Sequence, residues 1–120
     1  MKKQLKIKEW GYEVGYDLLG IILKDYKSKN WDKSIEAHQD LIVDILKNKT
    51  IGAVEIVNWS LHSHLPRELG KNVEDIQVEL DDSEEHPKIS IKMKIKKDNK
   101  IKNFVMRGEI EYEDILRELE

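Results

Sequence analysis

At 120 residues the chain has the size of one domain, 1–120, and its 21 Lys and Arg against 24 Asp and Glu leave a formal net charge of only −3, which argues against bulk attraction to nucleic acid or anionic lipid. No cysteine is present, which excludes disulfides, thiolate metal sites and a cysteine nucleophile. The basic stretch 1–8 is followed by Glu9, Gly11 and Glu13 instead of an apolar signal core, and the longest apolar run, 18–23, is far short of the ~20 residues that span a bilayer. A cytoplasmic location without a membrane segment is therefore expected.

In chain order, Leu5-Lys6-Ile7-Lys8 alternates apolar and basic residues and suits a short strand. Over 12–27, Val14, Leu18, Ile21, Ile22 and Tyr26 recur at helical spacing, which predicts a first helix. Gly11, Gly15 and Gly20 lie along it and call for a tertiary reason, the close approach of another backbone being the ordinary one. Ile35, His38, Leu41, Ile42, Ile45 and Leu46 make a second stripe, which predicts a helix over 33–47 with Asn48 as terminator. The stretch 51–65 fits strand at first and helix later, and reads on balance as helix. Pro66 and Gly70 then frame a short helical turn.

After Gly70 the period changes to two. Ile76, Val78 and Leu80 alternate with polar residues, as do Ile89, Ile91, Met93 and Ile95. Pairing the two runs antiparallel across 82–87 sets Leu80 opposite Ile89, Val78 opposite Ile91 and Ile76 opposite Met93. The same register sets Gln77 against Lys92 and Asp75 against Lys94, so apolar and charge patterns agree. Asp98-Asn99 reads as a tight turn and 101–112 as a third strand, whose slip between Ile101 and Phe104 calls for a bulge near Lys102 or Asn103. The tail 113–120 suits a short final helix.

His62-Ser63-His64 followed by Glu68 has the letter pattern His-x-His-x3-Glu, which resembles the first metal motif of cupins over seven residues. On the helix expected here, positions i and i+2 point apart, so a surface pair is expected and no metal or cofactor is assigned. His38 lacks a nucleophile to serve, and no phosphate loop, HExxH helix or Gly-x-Ser-x-Gly elbow occurs, so no catalytic residue is assigned either. Trp10, Trp31 and Trp59 each lie near an apolar stripe and are expected in or beside the core.

Charge is sorted into blocks. Residues 88–102 carry seven lysines and one aspartate, whereas 68–85 carry eight carboxylates and one lysine. Facing strands compensate much of this and argue against a nucleic-acid surface, but the loop carboxylates Asp81, Asp82, Glu84 and Glu85 are left over as a candidate surface for a basic protein partner. The expected architecture is α+β: two or three N-terminal helices packed on one face of a three- to four-stranded antiparallel β-meander, with a short C-terminal helix. The expected function is a small non-enzymatic binding protein that neutralises or inhibits a protein partner, in the manner of an immunity protein or a phage-encoded inhibitor. The alternative is a small-molecule or nucleotide pocket lined by Trp59, His62, His64 and Arg67, at a homodimer interface, or a metal-dependent enzyme using His62 and His64.

Overall fold

Period two governs the first half of the chain as well as the second. The computed structural model describes residues 2–83 and 85–119, and it is built mostly of strands. Strands β1 (Lys2–Leu5), β7 (Val73–Asp81), β8 (Lys88–Lys97) and β9 (Lys100–Glu109) form a four-stranded sheet in that order. Strands β2 (Glu9–Glu13), β3 (Leu18–Ile22), β6 (Ile51–Ile56), β5 (Leu41–Leu46) and β4 (Trp31–His38) form a five-stranded sheet in the order β2-β3-β6-β5-β4. Every pairing is antiparallel. One apolar cluster drawn from both sheets fills the space between them, with Leu19, Ile21, Val43 and Val54 from one side and Val78, Leu80, Ile89 and Ile91 from the other, all fully buried.

The expected α+β architecture is thus corrected to a two-sheet sandwich. The N-terminal helices do not exist, and the helical elements are α1 (Trp59–Ser63), α2 (Leu116–Leu119) and short 3-10 turns. Where a first helix was expected, Asp17 adopts the left-handed conformation at φ 51° and turns β2 into β3. Where a second was expected, Asp40 at φ 64° turns β4 into β5. Bulges explain why the stripe looked helical. Register shifts fall between Trp31 and Lys33, Glu36 and His38, and Asp44 and Ile45. The first two add a residue to β4, where a spacing of two becomes three and a helical template accepts it, whereas the third adds one to β6 between Ile51 and Ala53. The stretch 51–65 divides, strand first and a single helical turn after.

The β7–β8 register agrees with that read from the sequence, including Leu80 opposite Ile89, Val78 opposite Ile91 and Gln77 opposite Lys92. Asp98 and Asn99 both have positive φ in the β8–β9 turn. The bulge expected near Lys102 is absent: β8 and β9 pair without a shift, and Ile101 simply faces outward beside Lys96.

Two polar junctions lock the sandwich. Asp17, only 2% exposed, accepts hydrogen bonds from Tyr12 Oη at 2.6 Å, from the Ser60 amide at 3.0 Å and from the Ser60 hydroxyl, with Arg67 Nε 3.7 Å away. Burial opposes ionisation of this carboxyl, but the Ser60 and Tyr12 hydrogen bonds outweigh it and hold the pKa below the usual aspartate value. Tyr12 in turn packs edge-on to the buried Trp59 ring and lies so close to Gly70 that a Cβ there would sit 2.4 Å from it. At the other end Glu118, 5% exposed, takes the Ile51 amide at 3.0 Å and the Lys24 ammonium at 2.7 Å, while Lys3 Nζ donates to its backbone carbonyl at 2.8 Å.

Two outcomes follow. Val78→Lys or Ile91→Lys places a charge in the core and should cost more than about 3 kcal/mol, whereas Gln77→Lys, on the wet face, should stay within about 0.5 kcal/mol; denaturant midpoints check both. Asp17→Ala removes the carboxylate from several donors at once and should cost about 2–4 kcal/mol at neutral pH. Because the folded carboxyl ionises at lower pH than the unfolded one, its contribution is complete above roughly pH 5 and is lost as pH falls through the folded value. The gap between wild type and Asp17→Ala should therefore narrow on acidification, and a gap independent of pH from 7 to 2 would remove Asp17 from this role.

Candidate protein-binding face

Alternation along each strand of the five-stranded sheet divides its residues between the core and an outer face. In β2, Tyr12 turns inward, so Glu9, Gly11 and Glu13 face outward; in β3, Leu19 and Ile21 are buried, so Leu18, Gly20 and Ile22 face outward. The register then sets two rows across this face. One runs Gly11, Gly20, Glu55, Ile42 and Glu36; the other runs Glu9, Ile22, Ala53, Asp44 and Ser34.

Each row carries two carboxylates, Glu55 and Glu36 in one and Glu9 and Asp44 in the other. Among the described residues, no lysine or arginine forms an ion pair with Glu9, Glu13, Glu36, Asp44 or Glu55. Glu55 lies half-buried between its neighbours. Burial, with Asp44 and Glu13 nearby, raises its carboxyl above the usual glutamate range. Asp44 is held by Tyr26 Oη at 2.7 Å and by Ser34 Oγ at 2.6 Å, and Trp31 Nε1 donates to the same Ser34 at 3.2 Å. Burial and the Asp44 carboxylate push the Tyr26 hydroxyl up to about 12, so it remains a neutral donor. Trp31, 44% exposed, completes an aromatic and acidic border at the far edge.

Gly11 and Gly20 stand directly opposite one another, and a Cβ built on either would meet nothing within 4 Å. No backbone approaches them, contrary to the ordinary reason for a glycine in such a place. They leave a depression of about 450 Å³ bordered by Glu9, Glu13, Leu18, Ile22, Ala53 and Glu55.

The residues singled out from sequence fall elsewhere. Asp81 is on the outer face of the four-stranded sheet, directly between Lys2 of β1 and Lys88 of β8, and its Oδ1 accepts the Ser83 amide at 3.0 Å. Hydrogen bonds from Ser83 hold its carboxyl below the usual aspartate range. Asp82 is half-buried, Glu85 is exposed, and Glu84 lies outside the described residues. Asp81 also shares a depression of about 290 Å³ with Lys2, Lys88, Lys92 and Arg107, so its surroundings are mixed in charge.

Trp59, His62, His64 and Arg67 do not converge. Trp59 is fully buried with its Nε1 3.4 Å from Met93 Sδ, His62 Nε2 lies 2.8 Å from Asp40 Oδ2, His64 is exposed in the left-handed conformation, and Arg67 approaches Asp17. Trp10, at 42% exposure, and Trp31 lie on the edge strands β2 and β4, whereas Trp59 is in the core. Among the described residues, no group of three or more His, Asp and Glu is arranged to hold a metal ion, and no helix is long and apolar enough to cross a membrane.

The acidic outer face escaped the sequence reading because Glu13, Glu36, Asp44 and Glu55 come from segments read as helices. The surviving signal was the unexplained pair Gly11 and Gly20. The His62 environment gives a direct test: equilibrating the purified protein with Zn²⁺ or Mn²⁺ and desalting should leave less than about 0.1 metal per chain in both wild type and His62→Ala/His64→Ala, since a stable site needs three or four converging ligands. Stoichiometric metal in wild type that is lost in the double variant would overturn this. Comparison with protein-family models, with curated proteins and with solved structures finds no match to this chain.

Proposed function

We propose that the protein is a non-enzymatic binding protein that neutralises or inhibits a basic protein partner, and that the outer face of the five-stranded sheet is the surface it uses. The observation that carries this reading is the clustering of Glu9, Glu13, Glu36, Asp44 and Glu55 on one sheet face without a paired cation, around the apolar side chains Leu18, Ile22 and Ile42. Burial raises the Glu55 carboxyl above the usual glutamate range, and the nearby Asp44 and Glu13 carboxylates add repulsion to it. A cationic partner relieves the repulsion on docking, so the surface gains more from association than an isolated carboxylate would. Trp31 and Tyr26 at one border supply the aromatic area on which protein interfaces commonly rely. Of the carboxylates singled out from sequence, Asp81 ends β7 on the other sheet, where it already faces Lys2 and Lys88.

Binding to immobilised protein from a bacterial lysate tests this reading. A basic protein should be retained near physiological salt and released as the Debye length shrinks to ~3 Å near 1 M. Glu9→Lys/Glu13→Lys/Glu36→Lys should slow association of that protein at least about tenfold, whereas Asp82→Lys/Glu85→Lys should change it about twofold or less. The triple variant alters exposed positions and the double variant an exposed and a half-buried one, and both should melt within a few degrees of wild type. An association rate indifferent to salt and to the triple reversal would defeat the proposal.

A further inference from the structure

Glycine in the interior of a strand gives up side-chain packing and costs conformational entropy, so it ordinarily marks a bulge, a special backbone angle or a neighbour that comes too close. Gly108 meets that rule: a Cβ there would lie 2.6 Å from the Ala37 carbonyl oxygen. Gly11 and Gly20 do not. Neither has a positive φ, their pairing carries no register shift, and the space above both is open. The fold therefore forgoes stability at two directly opposed positions and receives a trough in return.

The walls of that trough have a definite chemistry. Leu18 and Ile22 flank Gly20 along β3, Ala53 stands opposite Ile22, and Glu9, Glu13 and Glu55 surround this apolar strip. A long side chain with an apolar stem and a cationic head matches it: the stem lies over the glycine backbone against Leu18 and Ile22, and the head reaches the carboxylates. Arginine suits the shape better than lysine. Its guanidinium is flat, stacks on peptide planes, is less strongly hydrated than an ammonium and engages carboxylates through two parallel hydrogen bonds. We infer that the glycine-floored trough on the outer face of the five-stranded sheet receives an arginine side chain from an extended segment of the partner protein. This inference rests on the basic-partner reading above and names the group recognised.

The test uses the whole protein and a set of amidated nonapeptides of alternating serine and valine with arginine, lysine or citrulline at the centre, together with arginine methyl amide, titrated by NMR while the Gly11 and Gly20 amides are followed. The arginine peptide should shift both amides and bind about threefold or more tighter than the lysine peptide, and the citrulline peptide should leave them unmoved. Gly20→Val, whose side chain occupies open space in a strand, should fold with an unchanged or higher melting midpoint yet lose the arginine peptide; Gly11→Val serves as the second variant.

Unaltered binding by folded Gly20→Val overturns the inference, as does arginine methyl amide binding as tightly as the arginine peptide, which would make the trough a small-molecule site. Should arginine and lysine peptides bind equally, survive Gly20→Val and fail only with Glu9→Lys/Glu13→Lys/Glu36→Lys, the basic-partner reading stands and the arginine trough falls. No shift with any peptide, in a protein that also retains no basic protein from lysate, removes both.

Discussion

The buried carboxylate of Asp17 is the constraint on which the candidate face depends. A charge in this position is tolerable only because donors surround it, and those donors come from separate parts of the chain: Tyr12 in β2 and both the amide and hydroxyl of Ser60 in α1. Its left-handed backbone makes the β2–β3 turn, and its own carbonyl accepts the Trp59 amide at 3.0 Å. The consequence reaches outward. β2 is an edge strand paired only to β3, and Tyr12 anchors it through Asp17, Trp59 and the space over Gly70. With Tyr12 fixed inward, Gly11 must face outward beside Gly20, and the trough is set.

Half of the sandwich was legible in the sequence and half was not, for a reason that lies in how many faces each strand buries. β7 and β8 each have one buried and one wet face, so Ile76, Val78 and Leu80 alternate cleanly and their register could be assigned by matching apolar and charged rows. β5 carries apolar residues on its outer side as well, where Ile42 is partly and Leu46 wholly buried, so Leu41-Ile42-Val43 shows no alternation to detect. β4 and β6 carry the added residues, and an apolar run with one inserted residue, such as Ile35 to His38 in β4, fits 3.6 as well as it fits two. The site suffered more than the fold. Glu9 and Glu13 in β2 are far along the chain from Glu55 and meet it only through the β2-β3-β6 pairing, so no linear charge block announced them. The block that did stand out, 68–85, is partly answered by the lysines of β8, as the Lys92–Glu79 pair at 3.0 Å shows.

The two sheets thus treat charge in opposite ways. On the four-stranded sheet, acidic β7 stands beside lysine-rich β8, and cross-strand neighbours compensate one another. On the five-stranded sheet, Asp32 pairs with Lys49, but among the described residues Glu9, Glu13, Glu36, Asp44 and Glu55 have no ion pair with an ammonium or guanidinium of the chain itself. Compensated charge contributes to solubility and register, whereas uncompensated charge produces a field that extends toward an approaching molecule. The asymmetry gives the molecule a sided character that its formal net charge of −3 conceals.

The lysines at the tip of the β8–β9 hairpin have a use that requires no ligand. β9 is a ten-residue strand at the edge of its sheet, and it exposes Ile101 and Val105. A long, β-prone free edge of this kind invites a second chain to add as another strand, the first step toward aggregation. Lys100 and Lys102 lie on that strand, with Lys94, Lys96 and Lys97 on its neighbour, and a copy added parallel and in register would set the same charges against them. Lys102 also occupies a position of the inward-facing set of β9, where an ammonium resists being covered. The basic tip therefore works as a guard against self-templating, and acetylation of these amines would disarm it without touching a single core contact.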